Sequence, residues 1–295
     1  MISIVITSFN EPKTIGKCID SFLSQQINEK YELIVSAPDL ETQQIVEQYS
    51  KKNKNIKLFK DPGKGKSLAL NLLLPNLKGD IIILTDGDVY VNKIAIEEIL
   101  NKFRKKEVGC VSGRVLSSDS RNSLFGYWSH LLCHSAHKLR EKRAKENKFL
   151  ECSGYLWAFR NKVIKQFPKD VAEDTIVPIL FWKKGWKVDY TEKAEVYVSF
   201  PRTLSDFVKQ KKRTMASHET LNKYFKSGEI PRMKSFKNEI LGSLMVLSYP
   251  KSFKEVLYTI SLFPIRLYIW LLTFYKSKFK KQNYSDAWKR VESTK

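Results

Sequence analysis

Ile81-Ile82-Ile83-Leu84-Thr85-Asp86-Gly87-Asp88 is the stretch that decides the fold. Ile81 to Thr85 is apolar and mostly β-branched, and reads as a strand buried on both faces. It delivers two carboxylates at its C-terminal end, the edge at which open α/β sheets take their ligands. Residues i and i+2 of an extended chain point the same way, so Asp86 and Asp88 can converge. Gly87 between them lets a ligand approach the backbone. Such oxygen donors suit Mg²⁺ or Mn²⁺ bridging phosphates. An isolated Asp-x-Asp is also a common polar turn; its place after an apolar strand in an alternating chain favours the metal.

Upstream the chain alternates. Ile2 to Thr7 reads as a buried parallel strand, and Ser8-Phe9-Asn10-Glu11-Pro12 as a turn into a helix carrying Ile15, Cys18, Ile19, Phe22 and Leu23. Strands are expected at Tyr31 to Ser36, Ile56 to Phe59 and Asp80 to Thr85, and helices at Leu40 to Lys52 and Lys64 to Leu77. That alternation implies an α/β fold with a mostly parallel sheet flanked by helices. Beyond about residue 113 the pattern is less regular. Helices are expected at Ser123 to Asn147, Val171 to Lys184 and Leu204 to Phe225, and strands at Phe149 to Phe159, Lys187 to Tyr190 and Glu195 to Phe200.

The 295 residues suffice for one large α/β domain and an appendage. Lys and Arg number 52 against 31 Asp and Glu, a net charge of +21, which suggests a polyanionic partner or a lysine-rich solvated surface. Nucleic acid is not the expected partner: no recognition motif is present, and the aromatics are not interleaved with the basic runs. Cys18, Cys110, Cys133 and Cys152 form no Cys-x-x-Cys pair, so neither a zinc site nor a disulfide scaffold is expected. The start of the chain runs directly into a strand pattern, unlike a signal peptide.

Composition shifts near Pro231. Residues 1–230 are expected to form the catalytic domain and 231–295 a membrane-associated helical region. Val256 to Tyr275 is long and apolar enough for a bilayer, but Arg266 and Pro264 interrupt it. Two apolar helices are expected here, Glu239 to Tyr249 and Phe253 to Tyr275, with Lys276 to Lys281 at lipid headgroups. Placement on the cytoplasmic face of the cell membrane is expected, peripheral or as a single-pass or re-entrant segment kinked at Pro264, with an anionic surface as partner.

Several segments together resemble the family 2 glycosyltransferases of GT-A fold: Val5-Ile6-Thr7-Ser8-Phe9-Asn10-Glu11, Gly63-Lys64-Gly65-Lys66-Ser67-Leu68-Ala69-Leu70-Asn71, Asp86-Gly87-Asp88, Ala172-Glu173-Asp174 and Gln210-Lys211-Lys212-Arg213-Thr214. In the last, Thr214 stands where the related motif has Trp. The resemblance covers roughly residues 1–215. It implies an inverting transfer of sugar from a nucleotide diphosphate sugar, a UDP- or GDP-sugar, to a hydroxyl of a lipid-linked sugar or glycan, with a polyprenyl phosphate as the alternative acceptor. It implies donor binding by Thr7, Asn10, Glu11, Asp39, Lys64, Lys66, Asp86, Gln210 and Arg213, metal binding by Asp86 and Asp88, catalysis by Asp174 with Glu173, and an acceptor near Gly154 and Trp157.

These residues also have simpler readings. Gly63-Lys64-Gly65-Lys66 is not a Walker A loop, because Lys60 stands where that motif needs glycine; it is equally an exposed turn opening a helix. Glu173 and Asp174 suit the first turn of a helix through its dipole, while Asp174 as general base would take the proton of the attacking hydroxyl. Gln210 and Arg213 share a helix face that could meet phosphate or anionic lipid. Tyr155, Trp157 and Phe159 alternate along a strand as an aromatic face, which could wall a sugar site or fill the core. His130, His134 and His137 read as surface or packing residues.

Overall fold

The computed structural model describes residues 1–226, 228–231, 233 and 246–279. The chain divides into two compact units, one of Met1–Val115 with Arg140–Val198, the other of Leu116–Leu139 with the described residues from Ser199 on. The functional division expected between residues 230 and 231 falls inside the second unit.

The first unit is built on an eight-stranded sheet. Its strands are β1 (Ile2–Thr7), β2 (Tyr31–Ala37), β3 (Ile56–Lys60), β4 (Ile81–Asp86), β5 (Tyr90–Val91), β6 (Val108–Ser117), β7 (Leu156–Arg160) and β8 (Lys187–Val198), in the order β3-β2-β1-β4-β7-β6-β8-β5. β1 pairs in parallel with both β2 and β4, and β2 with β3. The helices α1 (Ile15–Leu23), α2 (Leu40–Lys52) and α3 (Lys66–Leu73) alternate with these strands. All six residues of β1 are buried, Ser3 and Thr7 with the aliphatic ones, as in a strand covered on both faces.

Parallel pairing stops at β4. β7 runs antiparallel to β4 and to β6, and β5 is antiparallel to β8. The sheet is therefore mixed, and the expected parallel order holds for its N-terminal half. β5, α4 (Ala95–Phe103) and β6 were not expected, although Ile96, Ile99 and Phe103 mark the buried stripe of α4. The strand expected over Phe149 to Phe159 begins only at Leu156, and the two short strands after Lys187 are one, β8. α6 (Glu173–Lys183) opens close to where it was expected.

The second unit has a helical core. α5 (Leu124–Lys145, in this unit as far as Leu139), α7 (Leu204–Thr220) and α8 (Phe253–Phe279) contribute Tyr127, Trp128, Leu131, Phe207, Met215, Leu262 and Ile269 to one buried cluster. Its polar groups are matched: Tyr127 Oη lies 2.6 Å from Thr259 Oγ1, and Trp128 Nε1 donates to the Tyr258 carbonyl at 2.6 Å. Arg121 grips both oxygens of Glu255, at 2.7 and 2.9 Å, and donates to Tyr249 Oη at 2.6 Å. His130 Nε2 contacts the Asp119 carbonyl at 2.8 Å and the His134 ring packs against Tyr249, so these histidines serve packing. α8 begins at Phe253 as expected, carries Pro264 inside one continuous helix and runs past Tyr275 to Phe279. The helix expected over Glu239 to Tyr249 lies outside the described residues except at its C-terminal end.

α8 has two unlike faces. Thr259, Leu262 and Ile269 are buried, whereas Leu257, Ile260, Leu267 and Leu271 are each about half exposed. At 100° per residue the exposed set forms a stripe opposite the buried set. Phe253–Leu272 is long and apolar enough to cross a membrane by length and composition.

Candidate active site

The site begins where β1 and β4 end side by side. Their register pairs Thr7 with Asp86, and Thr7 Oγ1 lies 3.3 Å from Asp86 Oδ1. The Gly87 amide donates to the Thr7 carbonyl at 2.9 Å, which holds the chain between the two aspartates against β1. Gly87 has no room for a side chain: a Cβ there would stand 2.5 Å from Ser8 Oγ and 2.6 Å from Glu11 Oε2. Ser8 Oγ donates to Glu11 Oε2 at 2.8 Å, so the Glu11 carboxylate is fixed over the glycine. Burial pushes the Cys18 thiol well above its usual pKa, and the charges of Glu11, Asp88 and Asp86 push it further. These three carboxylates therefore gather about one buried thiol at the strand ends.

The turn after β1 is tied to β2. Asn10 takes a positive φ of 55°, and its amide donates to Asp39 Oδ2 at 2.6 Å. The other oxygen, Asp39 Oδ1, accepts from the Thr42 amide at 2.9 Å and caps α2. Burial alone would raise the Asp39 pKa; the hydrogen bonds from Thr42 and Asn10 outweigh it and hold the carboxyl below its usual value. Asp39 thus has a structural task at the position where the resemblance implied base binding.

The loop before α3 needs its glycines. Gly63 and Gly65 have φ of 68° and 111°, values that side chains disfavour. Asp61 anchors the loop, accepting from the Gly63 amide at 2.7 Å and from Ser36 Oγ at 2.8 Å. Lys64 is exposed. Lys66, at the start of α3, turns inward: its Nζ stands 2.7 Å from Asp86 Oδ1 and 2.7 Å from Glu173 Oε1. Asn71 on the same helix exchanges two hydrogen bonds with the backbone of Phe167, at 2.8 and 2.6 Å, and so ties α3 to the chain that leads into α6.

α6 opens with the two acids, and they are unlike. Glu173 is buried, and burial raises its carboxyl above the usual pKa despite the opposing charge of Lys66. Asp174 is half-buried, and its Oδ2 accepts from the Gly154 amide at 2.8 Å. The loop carrying Gly154 is held on both sides. Thr85 Oγ1 donates to the Tyr155 carbonyl at 2.7 Å, and the Ser153 amide to Ser112 Oγ at 3.1 Å. Trp157 corrects the expected acceptor wall. It is 0% exposed and stacked on Phe159 with ring centroids 5.1 Å apart, so it has no face to offer a sugar. β7 lies inside the sheet, and both faces of an interior strand here are core.

Thr7, Glu11, Lys66, Asp86, Asp88, Glu173, Asp174 and Gly154 thus belong to one region of the first unit. Gln210 and Arg213 are carried by α7 of the second unit, with Arg213 exposed. Sequence reasoning missed Asp61, whose signal is Asp-Pro-Gly before a glycine-rich turn, and the sharing of Lys66 between two acids, which has no local signal. Among the described residues no three His, Cys, Asp or Glu side chains form a ready metal cage. Paired carboxylates at a strand end, with a hydroxyl beside them, still fit a Mg²⁺-like ion, which usually binds one or two carboxylates and completes its shell with waters and substrate phosphates.

A parallel half-sheet that ends in these acids and continues antiparallel across β7 is a GT-A-like fold. The mannosyltransferase PcManGT from Pyrobaculum calidifontis, solved with GDP-Man and Mn²⁺, has a similar fold, with a TM-score of 0.66 over 95% of this chain and 88% of that one at 17% identity. S. aureus TarS 1-349, solved in complex with UDP-GlcNAc, matches with a TM-score of 0.50 over 88% of this chain and 78% of that one at 15% identity. The sequence model of glycosyltransferase-like family 2 matches residues 1–217, and the chain belongs to that family. Among curated relatives, an N-acetylglucosaminyltransferase of Rhizobium meliloti is 23% identical over 238 residues, 72% of this chain and 54% of the relative. The probable glycosyltransferase YdaM of Bacillus subtilis is 25% identical over 226 residues, again 72% and 54%. The chain spans about half the length of these relatives.

Proposed function

We propose that this chain transfers a sugar, with inversion, from a nucleotide diphosphate sugar to a hydroxyl of a lipid-linked sugar or glycan at a membrane surface. The observation that carries the reading is Lys66, whose ammonium lies 2.7 Å from both Asp86 and Glu173. It joins the strand end suited to a diphosphate to the helix turn that bears Asp174. Donor and base machinery thereby share one scaffold.

In this reading Asp174 Oδ1 or Oδ2 takes the proton of the acceptor hydroxyl as its oxygen attacks the anomeric carbon. The bond from that carbon to the β-phosphate oxygen breaks, and the nucleoside diphosphate leaves with the electron pair. A one-step displacement inverts the anomeric centre. Gly154 holds the base in place through its amide. Asp86 and Asp88 would hold a Mg²⁺ or Mn²⁺ ion, which when bound supplies charge neutralisation to the leaving diphosphate. Lys66 and the exposed Lys64 add positive charge on the same side. The GDP-Man and Mn²⁺ of PcManGT and the UDP-GlcNAc of TarS support a nucleotide-sugar donor.

The apolar stripe of α8 supports the membrane part of the reading. Soluble proteins rarely leave large apolar side chains open in a continuous patch. With its other face packed in a protein core, α8 is suited to lie in the lipid interface rather than to span it. On this reading the chain sits peripherally on the cytoplasmic face of an anionic membrane, with the basic residues of α7 as headgroup partners; the Lys276 to Lys281 run expected in that role lies, in its side chains, outside the described residues. Thermal-shift titration with UDP, GDP and dTDP, each with Mn²⁺, tests the donor class, because a ligand of the native state raises its apparent stability. A stabilisation by one nucleotide that needs Mn²⁺ is expected. No response to any of the three would remove the donor reading.

A further inference from the structure

One ammonium serves two acids at the centre of the site. The Lys66 side chain is 13% exposed and the Glu173 side chain 5%, and each contact is 2.7 Å. Lys66 thus stands between the carboxylates of Asp86 and Glu173. Its contact on Asp86 is Oδ1, the oxygen that also faces the Thr7 hydroxyl. A divalent ion on Asp86 would meet a like charge at that oxygen, and like charges this close repel strongly in a partly buried site. One of the two must yield. Lys66 is the mobile partner, a compact charge on a flexible four-carbon stem. Glu173 faces no such competition, since it is buried and opens a helix that Asn71 and Phe167 tie to α3. It is also too covered to reach an acceptor hydroxyl, unlike half-buried Asp174.

We propose that Glu173 is a positioning residue that tethers Lys66, and that Lys66 is the internal counter-ion of Asp86 in the donor-free protein, passed to the donor's diphosphate when the metal arrives. The inference rests on the donor and metal reading above. Asp86 then keeps a cation beside it at every stage, and Lys66 keeps an anion. Glu173 sets how far Lys66 travels. This separates the two acids of the pair: Asp174 exchanges a proton with the acceptor, and Glu173 touches neither substrate.

Two substitutions should move metal binding in opposite directions, which a merely structural role would not do. Mn²⁺ binding to the full chain is measured without nucleotide by the resonance signal of the free ion. Lys66→Met removes the competing charge and should tighten donor-free Mn²⁺ binding by roughly tenfold or more. Glu173→Gln leaves Lys66 to Asp86 alone and should weaken it. With donor present, Glu173→Gln should raise KM for the nucleotide sugar more than it lowers kcat, and Lys66→Arg, which keeps the charge, should not show the tighter donor-free Mn²⁺ binding of Lys66→Met. Thermal unfolding of each variant confirms folding, and the two conservative changes carry the test if Lys66→Met does not fold. Unchanged or weaker Mn²⁺ binding in a folded Lys66→Met would overturn the counter-ion role. Loss of turnover at saturating donor in Glu173→Gln, with affinity intact, would overturn the tether. A wild-type chain that binds no nucleotide with Mn²⁺ would instead remove the donor reading, and the inference with it.

Discussion

The Gly154 amide donates to Asp174 Oδ2 at 2.8 Å, and a methyl group on Gly154 would stand 3.1 Å from that same oxygen. The glycine therefore fixes the acid and leaves space for it. Gly154→Ala should shift the carboxylate by a few tenths of an ångström. Displacements of about 1 Å at a reacting group cost up to about a hundredfold in rate. A fall in kcat of about tenfold is expected, with nucleotide affinity unchanged in calorimetry. Full activity in this variant would show that the amide does not position the base.

Asp174→Asn keeps the shape of the side chain and removes its basicity. General-base catalysis contributes about 10²–10⁴-fold. Turnover measured at saturating donor should fall by that order, while donor binding persists. A variant that loses affinity yet turns over normally would make Asp174 a binding residue.

Asp88→Ala should leave the fold intact and remove the metal dependence of nucleotide binding. Asp88 is half-buried at a strand end and contributes nothing to the buried aliphatic run before it. Calorimetric titration of UDP and GDP with and without Mn²⁺ reads the difference. Persistence of the wild-type metal dependence would move the metal elsewhere.

These predictions come from the part of the chain that sequence described best. Ile2–Thr7 and Leu40–Lys52 have the bounds expected of them; in the first, Ile2, Ile4, Val5 and Ile6 mark a buried strand locally. Asp86, Asp88 and Asp174 stand out in the sequence because acids at the ends of apolar elements break a clear pattern, and the structure places all three in the first unit. The antiparallel half was harder to read. Residues 149–155 carry strand-like apolar residues but form the loop that presents Gly154, since their backbone bonds go to Arg140, Arg143 and Ser112 rather than to a ladder. Trp157 could not be assigned from alternation alone, because a strand with two buried neighbours has no solvent side. The Lys66–Glu173 contact spans about a hundred residues and has no sequence-local trace.

Glu32 is expected to contribute to an acid limit of the fold. Its side chain is 4% exposed in its pair with Lys57, and it accepts from Ser3 Oγ, the Lys78 amide and Lys57 Nζ at 2.8 to 2.9 Å. Burial raises its pKa, but these bonds outweigh it and set the folded value below the ordinary 4.5. A depressed folded pKa contributes stability at pH above 4.5 that is lost as pH falls through the folded value. Glu32→Gln should therefore cost about 1–3 kcal/mol near neutral pH and flatten the acid limb of the stability curve. Urea unfolding across that range checks both. An acid limb as steep as that of wild type would mean that other carboxylates set it.

α8 can be tested one face at a time. Leu257→Glu with Leu267→Glu places charge on the exposed stripe and should abolish flotation with anionic liposomes while leaving the unfolding temperature near wild type. Ile269→Ala, on the buried face, should cost about 2–5 kcal/mol and leave flotation of the folded protein unchanged. Equal flotation of wild type and the double variant would assign the stripe to another partner.

The antiparallel pairing of β4 with β7 acts as a ruler. Five residue pairs, from Ile81 with Arg160 to Thr85 with Leu156, fix how far one strand has slid along the other. One end of β4 continues into Asp86, and the residue before β7 by two is Gly154, which holds Asp174. A slip of one residue would move Gly154, and the Asp174 it holds, by about 3.3 Å relative to Asp86, several times the misplacement that a reacting group tolerates. It would also turn every side chain of β7 to the opposite face of the sheet. The packing of Trp157 against Phe159 therefore calibrates a distance, and the tolerance of the reaction becomes part of what the core must hold constant.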